Sequence, residues 1–409
     1  MSTTPAPTAP QAGDTEEEAK KINPREQLRR VVQGDLSSVR VILGLVLIAV
    51  IFQVQESRFL SAENLTNLML QITTIGLISV GIVYVLLLGE IDLSVGAVSG
   101  LAGAVMVVLN VQHGWNPYLA IAAAVAVGAA IGTAQGFLFS RFVVPSFVVT
   151  LAGLLTWQGA LLQVLGKTGS LNVTDPKITG LANIFYGKTT GWIIAVVCIV
   201  VYGLVLAIGY RRRVAAGLGD KNPLPQVARL VLMAAITIGA VAILNSDRGV
   251  PLAVLILLGF VIGMEYVVQK TTFGRHVFAV GGNDEAARRA GIRVNGVRVA
   301  VFAIAGSMAA VGGIMAASRL FAVNQNSGGN ELLLLAIAGP VIAGTSLFGG
   351  RGSVWTALLG ALVIGSISNG MDLLGLASPI KYMVTGGVLL LAVLVDAVAK
   401  QQRQTRGRA

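Results

Sequence analysis

Residues 71–96 read QITTIGLISVGIVYVLLLGEIDLSVG, an apolar run from Gln71 to Leu88 that is followed directly by a glycine and two carboxylates. A helix that crosses a bilayer needs about 20 mainly apolar residues, because the hydrocarbon core is about 30 Å thick and a helix rises about 1.5 Å per residue. This stretch therefore predicts a membrane-spanning helix that ends at a short acidic connection.

The composition of the whole chain agrees with that prediction. Of its 409 residues, 55% are hydrophobic and only 12% are charged, and 50 are glycine. A soluble domain carries about 25% charged residues, so a water-soluble globule is excluded. The glycines show no three-residue period, which excludes a collagen-like chain. The sequence predicts an all-α polytopic membrane protein.

Further apolar runs follow along the chain, and together they predict about 12 transmembrane helices, with 10–12 as the range. The runs are Val41–Val54, Gln71–Leu88, Leu93–Leu109, Tyr118–Phe139, Phe147–Leu165, Gly191–Gly209, Val227–Leu244, Val250–Val268, Val299–Ala317, Leu332–Phe348, Ser353–Ser368 and Lys381–Val395.

Basic residues indicate the orientation, because cytoplasmic loops of membrane proteins are rich in lysine and arginine. With both termini inside, most of the 30 basic residues fall in inner segments. The prediction is a cytoplasmic, largely disordered tail (1–38), a membrane domain (39–396) with a cytoplasmic loop at 269–298, and a basic tail (397–409). The net charge of +11 could also indicate nucleic-acid binding; we assign it to the cytoplasmic loops and expect no nucleic-acid partner.

Residues for catalysis or metal binding are sparse. His113, His276 and the single Cys198 form no cluster with metal-ligand spacing,. The segment from Gly166 to Thr168 resembles the end of a phosphate-binding loop, but Leu161 stands where that loop needs a glycine,. We expect no catalytic residue, no metal site and no cofactor in this chain.

The acidic connection after Leu88 has two interpretations. Glu90 and Asp92 between glycines suggest a broken helix whose polar groups are satisfied inside the protein. Alternatively, the segment is a tight turn in which Asp92 caps the next helix. A second glycine-rich segment, Gly344–Ser353, also lies between two apolar runs, so the chain has a possible internal two-fold repeat, as transporters often do,.

The polar stretch from Lys270 to Arg298 is the longest basic connection. Asn283 or Asp284 can cap a short helix, Glu285 complements the positive end of that helix, and Gly291 ends it. The sequence predicts a compact cytoplasmic helix here. Such a helix could also lie on anionic lipid through its arginines.

At these residues the chain resembles the membrane permeases of bacterial ABC-type sugar importers of the ribose, arabinose and xylose group. The resemblance covers about Val41 to Asp396. The matching elements are GEIDLSVG at Gly89–Gly96, FGR at Phe273–Arg275, GGNDEAAR at Gly281–Arg288, GI at Gly291–Ile292, GTSLFGG at Gly344–Gly350, NG at Asn369–Gly370 and the segment Leu391–Asp396.

Two features refine the resemblance. The helix pair at Gly191–Gly209 and Val227–Leu244 and the string from Asn245 to Pro251 look like xylose-type permeases, which points to a pentose and to xylose in particular. The chain departs from the family before Gly344, where Leu333 and Leu335 replace the usual carboxylates, Glu331 is displaced and Pro340 is added.

The resemblance implies an ATP-driven import mechanism in which this subunit hydrolyses nothing. A separate ABC ATPase subunit would use ATP, an extracytoplasmic sugar-binding protein would deliver the sugar, and a second permease copy and membrane lipid would complete the assembly in the bacterial plasma membrane. The residues implied in coupling to the ATPase are Gly282, Asn283, Glu285, Ala286, Ala287 and Gly291.

A polar sugar needs hydrogen-bonding groups inside an apolar bundle. The candidates near helix breaks are Glu90, Asp92, Ser94, Thr345, Ser346 and Asn369. Each could equally be a helix cap or an interhelical contact. The alternative class of protein is a proton- or ion-coupled secondary sugar transporter, for which Glu265 is the available titratable group,.

Overall fold

The computed structural model describes residues 36–142, 144–217 and 222–406. Residues 1–35 of the predicted N-terminal tail and residues 407–409 of the predicted C-terminal tail lie outside the described residues. Within the described ranges, the first helix begins at Leu36 and the last continues to Arg406, so both helices extend into segments predicted as tails.

The described chain is almost entirely helical. Its helices are α1 (Leu36–Gln55), α2 (Ala62–Leu87), α3 (Val95–Val107, continued by a π-helical turn Val108–Gln112), α4 (Pro117–Phe142), α5 (Ser146–Leu165), α6 (Pro176–Asn183), α7 (Lys188–Ala215), α8 (Leu224–Ser246), α9 (Leu252–Lys270), α10 (Thr272–Gly282), α11 (Asp284–Arg289), α12 (Val294–Leu320), α13 (Asn330–Ile342), α14 (Trp355–Leu373) and α15 (Ser378–Arg406).

Nine helices of the described ranges are long and apolar enough to cross a membrane. Three shorter apolar helices, Val41–Gln55, Asn330–Ile342 and Ser378–Leu391, occupy the remaining predicted runs. Each of the 12 predicted runs therefore contains a helix, and the polytopic all-α fold class is confirmed. The number of complete crossings stays a prediction.

Two helices form the centre of the bundle. Leu77, Val80 and Tyr84 of α2 are fully buried, and so are Val301 and Ala305 of α12. Side chains of α7 and α8 are mostly exposed and apolar, which is the pattern of a lipid-facing hairpin at the edge,. The hairpin adds surface at the periphery rather than new residues to the central bundle.

Short strands join connections at one end of the bundle. Strand β1 (Ser170–Asn172) pairs antiparallel with β4 (Ala322–Asn324), and β2 (Phe185–Tyr186) pairs with β3 (Val250–Pro251). We call this the strand end. Helix α11 lies at the opposite end, because α12 begins just after α11 and ends just before β4, about 40 Å further along,.

The tenth predicted run differs most from the structure. It extends to Phe348 in the sequence prediction, but α13 ends at Ile342 and an irregular segment follows up to α14. Pro340 lies inside the last turn of α13, where it removes a hydrogen-bond donor. Gly344 then takes a φ of 107°, which a continuing α-helix does not allow.

Candidate functional site

The short helix predicted in the basic loop is confirmed as α11. Asn283 caps its start, since the side-chain oxygen accepts a hydrogen bond from the backbone N–H of Ala286 at 2.9 Å. Gly291 has a φ of 83° just beyond the end. The N–H groups of Gly291 and Ile292 donate to the last carbonyls of the helix at 3.0 and 3.1 Å. Both ends are thus satisfied locally, in a Schellman arrangement at the C-terminus.

Helix α11 presents most of the residues implied in coupling to solvent. Glu285 is 69% exposed in its side chain and pairs with Arg289 one turn later at 2.6 Å. Gly282, Asn283 and Gly291 are exposed as well. The structure places Ala286 on the exposed side and Ala287 in the interior, so Ala287 anchors the helix to the protein.

Arg298, at the start of α12, links α11 to the acidic connection. Its guanidinium lies 3.3 Å from a carboxylate oxygen of Glu90 and 3.4 Å from one of Asp284. It also lies over the ring of Phe139 at 5.6 Å. Because both carboxylates share one cation, a displacement of α11 changes the surroundings of Glu90 directly.

Three glycines let the backbone segments meet at this end, and we call their contact the glycine junction: Gly89, Gly281 and Gly349. The N–H of Gly350 donates to the carbonyl of Leu87 at 2.9 Å. A Cβ on Gly281 would lie 1.8 Å from that same carbonyl oxygen, and Gly89 has a φ of 75°. The two glycine-rich segments noted in the sequence therefore touch, together with the end of α10.

Asp92 and Ser94 form a buried turn beside the glycine junction. Asp92 is 3% exposed, and its carboxylate accepts hydrogen bonds from the backbone N–H and hydroxyl of Ser94 at 2.8 and 2.7 Å. The side chain of Gln135 lies 3.0 Å from the same hydroxyl. Burial raises the pKa of the Asp92 carboxyl, and the bonds from Ser94 oppose that effect,. Asp92 thus closes a buried turn just ahead of α3, whose N-terminus has no side-chain cap. Its polar atoms are satisfied inside the protein, as in the first interpretation, but within a turn, as in the second.

Thr345 and Ser346 also have local partners. Thr345 is 1% exposed, and its hydroxyl lies 2.5 Å from that of Thr356. Ser346 accepts a hydrogen bond from the backbone N–H of Phe348 at 3.2 Å. Asn369, the sixth path candidate, lies at the strand end, where its amide exchanges hydrogen bonds of 2.8 and 3.0 Å with Asn64. The structure therefore brings five candidates together and separates Asn369 from them.

Glu265 has a structural role. Its carboxylate accepts hydrogen bonds from the hydroxyl of Ser353 at 3.1 and 3.0 Å and from the N–H of Val354 at 2.7 Å. Val354 immediately precedes α14. The carboxylate therefore stabilises the positive N-terminal end of that helix.

A large cavity opens at the strand end and has a volume of about 1110 Å³. We call it the polar cavity. Gln71 and Thr74 of α2, Arg319 of α12 and Glu331 of α13 are among its lining residues, and none of the six path candidates is. Glu331 stands out in the sequence only as displaced from the family pattern, and sequence reasoning did not single out the other three. Their signal was the presence of polar residues within or directly beside apolar runs.

The described ranges contain no group of three or more His, Cys, Asp or Glu residues arranged to hold a metal ion. Cys198 is a free, exposed thiol on α7.

Comparison with known proteins identifies the class. Residues 64–393 match the family described as branched-chain amino acid transport system / permease component. The xylose transport system permease protein XylH of Escherichia coli is 39% identical over 352 residues, which cover 85% of this chain and 88% of the relative. The corresponding protein of Haemophilus influenzae is 36% identical, covering 89% and 98%.

The ribose import permease protein RbsC of Bacillus subtilis is 32% identical, covering 91% of this chain and 96% of the relative. No solved structure matches the chain. The chain belongs to this family of membrane-embedded permease components. It is accordingly a transport subunit and not an enzyme, and the sequence-based recognition of the family is confirmed.

Proposed function

We propose that this chain is the permease subunit of an ATP-driven importer that moves a pentose into the bacterial cell, and that the pentose is xylose. Two relatives that match most of the chain are named as xylose permeases and a third as a ribose permease. The helix pair α7 and α8, which looked xylose-like in the sequence, forms two long helices that pack against each other.

The observation that carries this proposal is the exposed helix α11 and its link to the bundle. Glu285 faces solvent, whereas Asp284 of the same helix shares Arg298 with Glu90. A partner that binds Glu285 and displaces α11 can therefore act, through Asp284 and Arg298, on the acidic connection between α2 and α3. We assign that partner as an ABC ATPase subunit, which would consume ATP, so this chain needs no cofactor of its own.

The remaining partners follow from the same assignment. With α11 in the cytoplasm, both termini are inside, and the strand end faces the exterior. A sugar-binding protein would dock there, and a second permease copy would pack beside this one in the membrane. The ATPase subunit would pack against α11 differently with and without ATP. That difference would shift the permease between its inward-open and outward-open conformations.

Reversal of the charge at Glu285 tests the proposal. In membranes that also contain the ATPase subunit and the binding protein, Glu285→Lys should abolish xylose-stimulated ATP hydrolysis and leave the permease level unchanged. Arg212→Glu is the control, since Arg212 is an exposed charge in the last turn of the peripheral helix α7, away from the strand end where the binding protein would dock. It should retain activity within about twofold, because an exposed charge contributes little to stability.

The outcomes separate the two classes of transporter. Unchanged xylose uptake by Glu285→Lys would remove the coupling role of α11. Uptake by vesicles without ATP, driven by a proton gradient, would instead favour a secondary carrier. The hydrogen bonds from Ser353 and Val354 give Glu265 a role at the start of α14 that does not require proton coupling.

A further inference from the structure

The polar cavity contains a buried hydroxyl that its own helix does not satisfy. Thr74 is 5% exposed, and its hydroxyl oxygen is buried without a hydrogen-bond partner in the described ranges. Thr73, the preceding residue, donates to the carbonyl of Met69 at 2.8 Å, as threonines in helices commonly do. A buried hydroxyl without a partner is unfavourable, so Thr74 indicates a missing ligand atom or water.

Arg319 provides a second free group in the same wall. It lies at the end of α12 and lines the cavity. No hydrogen bond or ion pair within 4.0 Å is found for its guanidinium among residues 36–142, 144–217 and 222–406. The nearby carboxylate of Asp372 attracts this guanidinium electrostatically, but its ion pair is with Lys381. An arginine that lines a cavity in a membrane protein and has no ion pair is a candidate for contact with a polar substrate.

The dimensions of the cavity suit a small polar ligand. Its volume of about 1110 Å³ slightly exceeds the range of about 300–1,000 Å³ for small-molecule pockets. Thr74 lies 12 residues into α2, so the cavity reaches about 18 Å into the bundle. A monosaccharide with several bound waters fits this space.

The chemistry of the wall favours a polyol. Arg319 and Thr74 can donate hydrogen bonds, while Glu331 and the amide of Gln71 can accept them. A sugar hydroxyl both donates and accepts, so neighbouring hydroxyls can use both kinds of group.

We propose that the polar cavity is the site where the permease accepts the sugar from outside, with Thr74 and Arg319 donating hydrogen bonds to its hydroxyl groups. The proposal rests on the importer function proposed above and adds a binding site to it. It also moves the sugar-contacting residues from the turn at Asp92 to the opposite half of the molecule.

Transport by reconstituted complexes tests the site. The permease is placed in liposomes with its ATPase subunit and binding protein, and D-xylose uptake is measured for Thr74→Val and Arg319→Gln. We expect uptake to fall about 10-fold or more for Arg319→Gln and about 3- to 10-fold for Thr74→Val, the range for losing a hydrogen bond to a charged and a neutral group. ATP hydrolysis stimulated by the loaded binding protein should stay within about twofold, because α11 is unchanged.

Thr73→Val is the matched control, because its hydroxyl is satisfied within α2 and Thr73 does not line the cavity. Equal uptake by Thr74→Val, Arg319→Gln and Thr73→Val would overturn the site while leaving the importer function intact. Absence of xylose uptake by the unmodified complex would instead overturn the importer function.

A labelling experiment covers the case in which a variant fails to assemble. Gln71→Cys, in a chain that carries Cys198→Ala, is exposed to a membrane-impermeant thiol reagent from outside. Binding protein loaded with D-xylose should slow labelling at least about threefold in the assembled complex, whereas unloaded binding protein and free leucine should not. Equal rates with loaded and unloaded binding protein, or protection by leucine alone, would contradict the site.

Discussion

A single carboxylate shows how burial and hydrogen bonding define a role. Asp92 is 3% exposed and accepts two hydrogen bonds from Ser94. Burial raises the pKa of its carboxyl, which means that the negative charge is disfavoured there. The turn before α3 uses an oxygen that accepts both bonds, so an uncharged acceptor should serve it as well.

Replacement of Asp92 can separate those two properties. Asp92→Asn keeps an oxygen that accepts from Ser94, so we expect xylose uptake within about twofold of the unmodified protein. Asp92→Leu removes the oxygen that accepts both bonds and should destabilise the fold by about 1–3 kcal/mol. Uptake and the melting temperature in detergent measure the two effects. Loss of uptake by Asp92→Asn at normal protein levels would show that the charge itself takes part in transport.

At the scale of elements, the glycine junction fixes the position of α10 against α2. A Cβ on Gly281 would lie 1.8 Å from the carbonyl oxygen of Leu87 and 2.9 Å from the backbone nitrogen of Gly350. Both neighbours are backbone atoms, which cannot rotate away as a side chain can. The next residue, Gly282, has open space around its Cβ position.

These adjacent glycines form a matched pair for mutation. Gly281→Ala should lower the stability of the permease by about 1–3 kcal/mol, because the helices must separate to admit the methyl group. Gly282→Ala should leave stability within about 0.5 kcal/mol, since nothing is displaced. Melting temperatures of the purified variants provide the comparison. A Gly281→Ala protein as stable as Gly282→Ala would mean that α10 and α2 do not touch as described.

The helices themselves could be predicted from the sequence, because a bilayer imposes a minimum length of apolar residues. The cap at Asn283 and the end at Gly291 were also predictable, since both depend on residues within one turn. Contacts between distant segments were not. Asn64 and Asn369 are 305 residues apart. Thr73 and Thr74 are the same residue type in the same apolar run, so the sequence does not tell which hydroxyl has a hydrogen-bond partner.

At the scale of the whole molecule, the connections are divided between the two ends. The strand pairs β1–β4 and β2–β3 join the connections around residues 170–186, 250 and 322 at the strand end. The acidic connection, α11 and the glycine junction meet at the other end. This division matches the predicted inner loops, which are rich in basic residues, and the predicted outer loops. An experiment that places one connection on one side of the membrane therefore assigns the side of every other connection.

Accessibility of two single cysteines tests this orientation in the full chain. Lys177 lies in α6 at the strand end, and Arg212 lies in the basic last turn of α7; both are exposed. In a chain that carries Cys198→Ala, an impermeant thiol reagent added to intact cells should label Lys177→Cys and not Arg212→Cys. Inside-out vesicles should show the reverse, because α7 is 28 residues long and can cross about 30 Å of hydrocarbon. Cys198→Ala alone is the unlabelled control. If both cysteines react from the same side, α7 does not cross the membrane, and the predicted alternation of spans is wrong from α7 onward. If the labelled sides are exchanged, α11 faces the exterior, where no cytoplasmic ATPase could reach it.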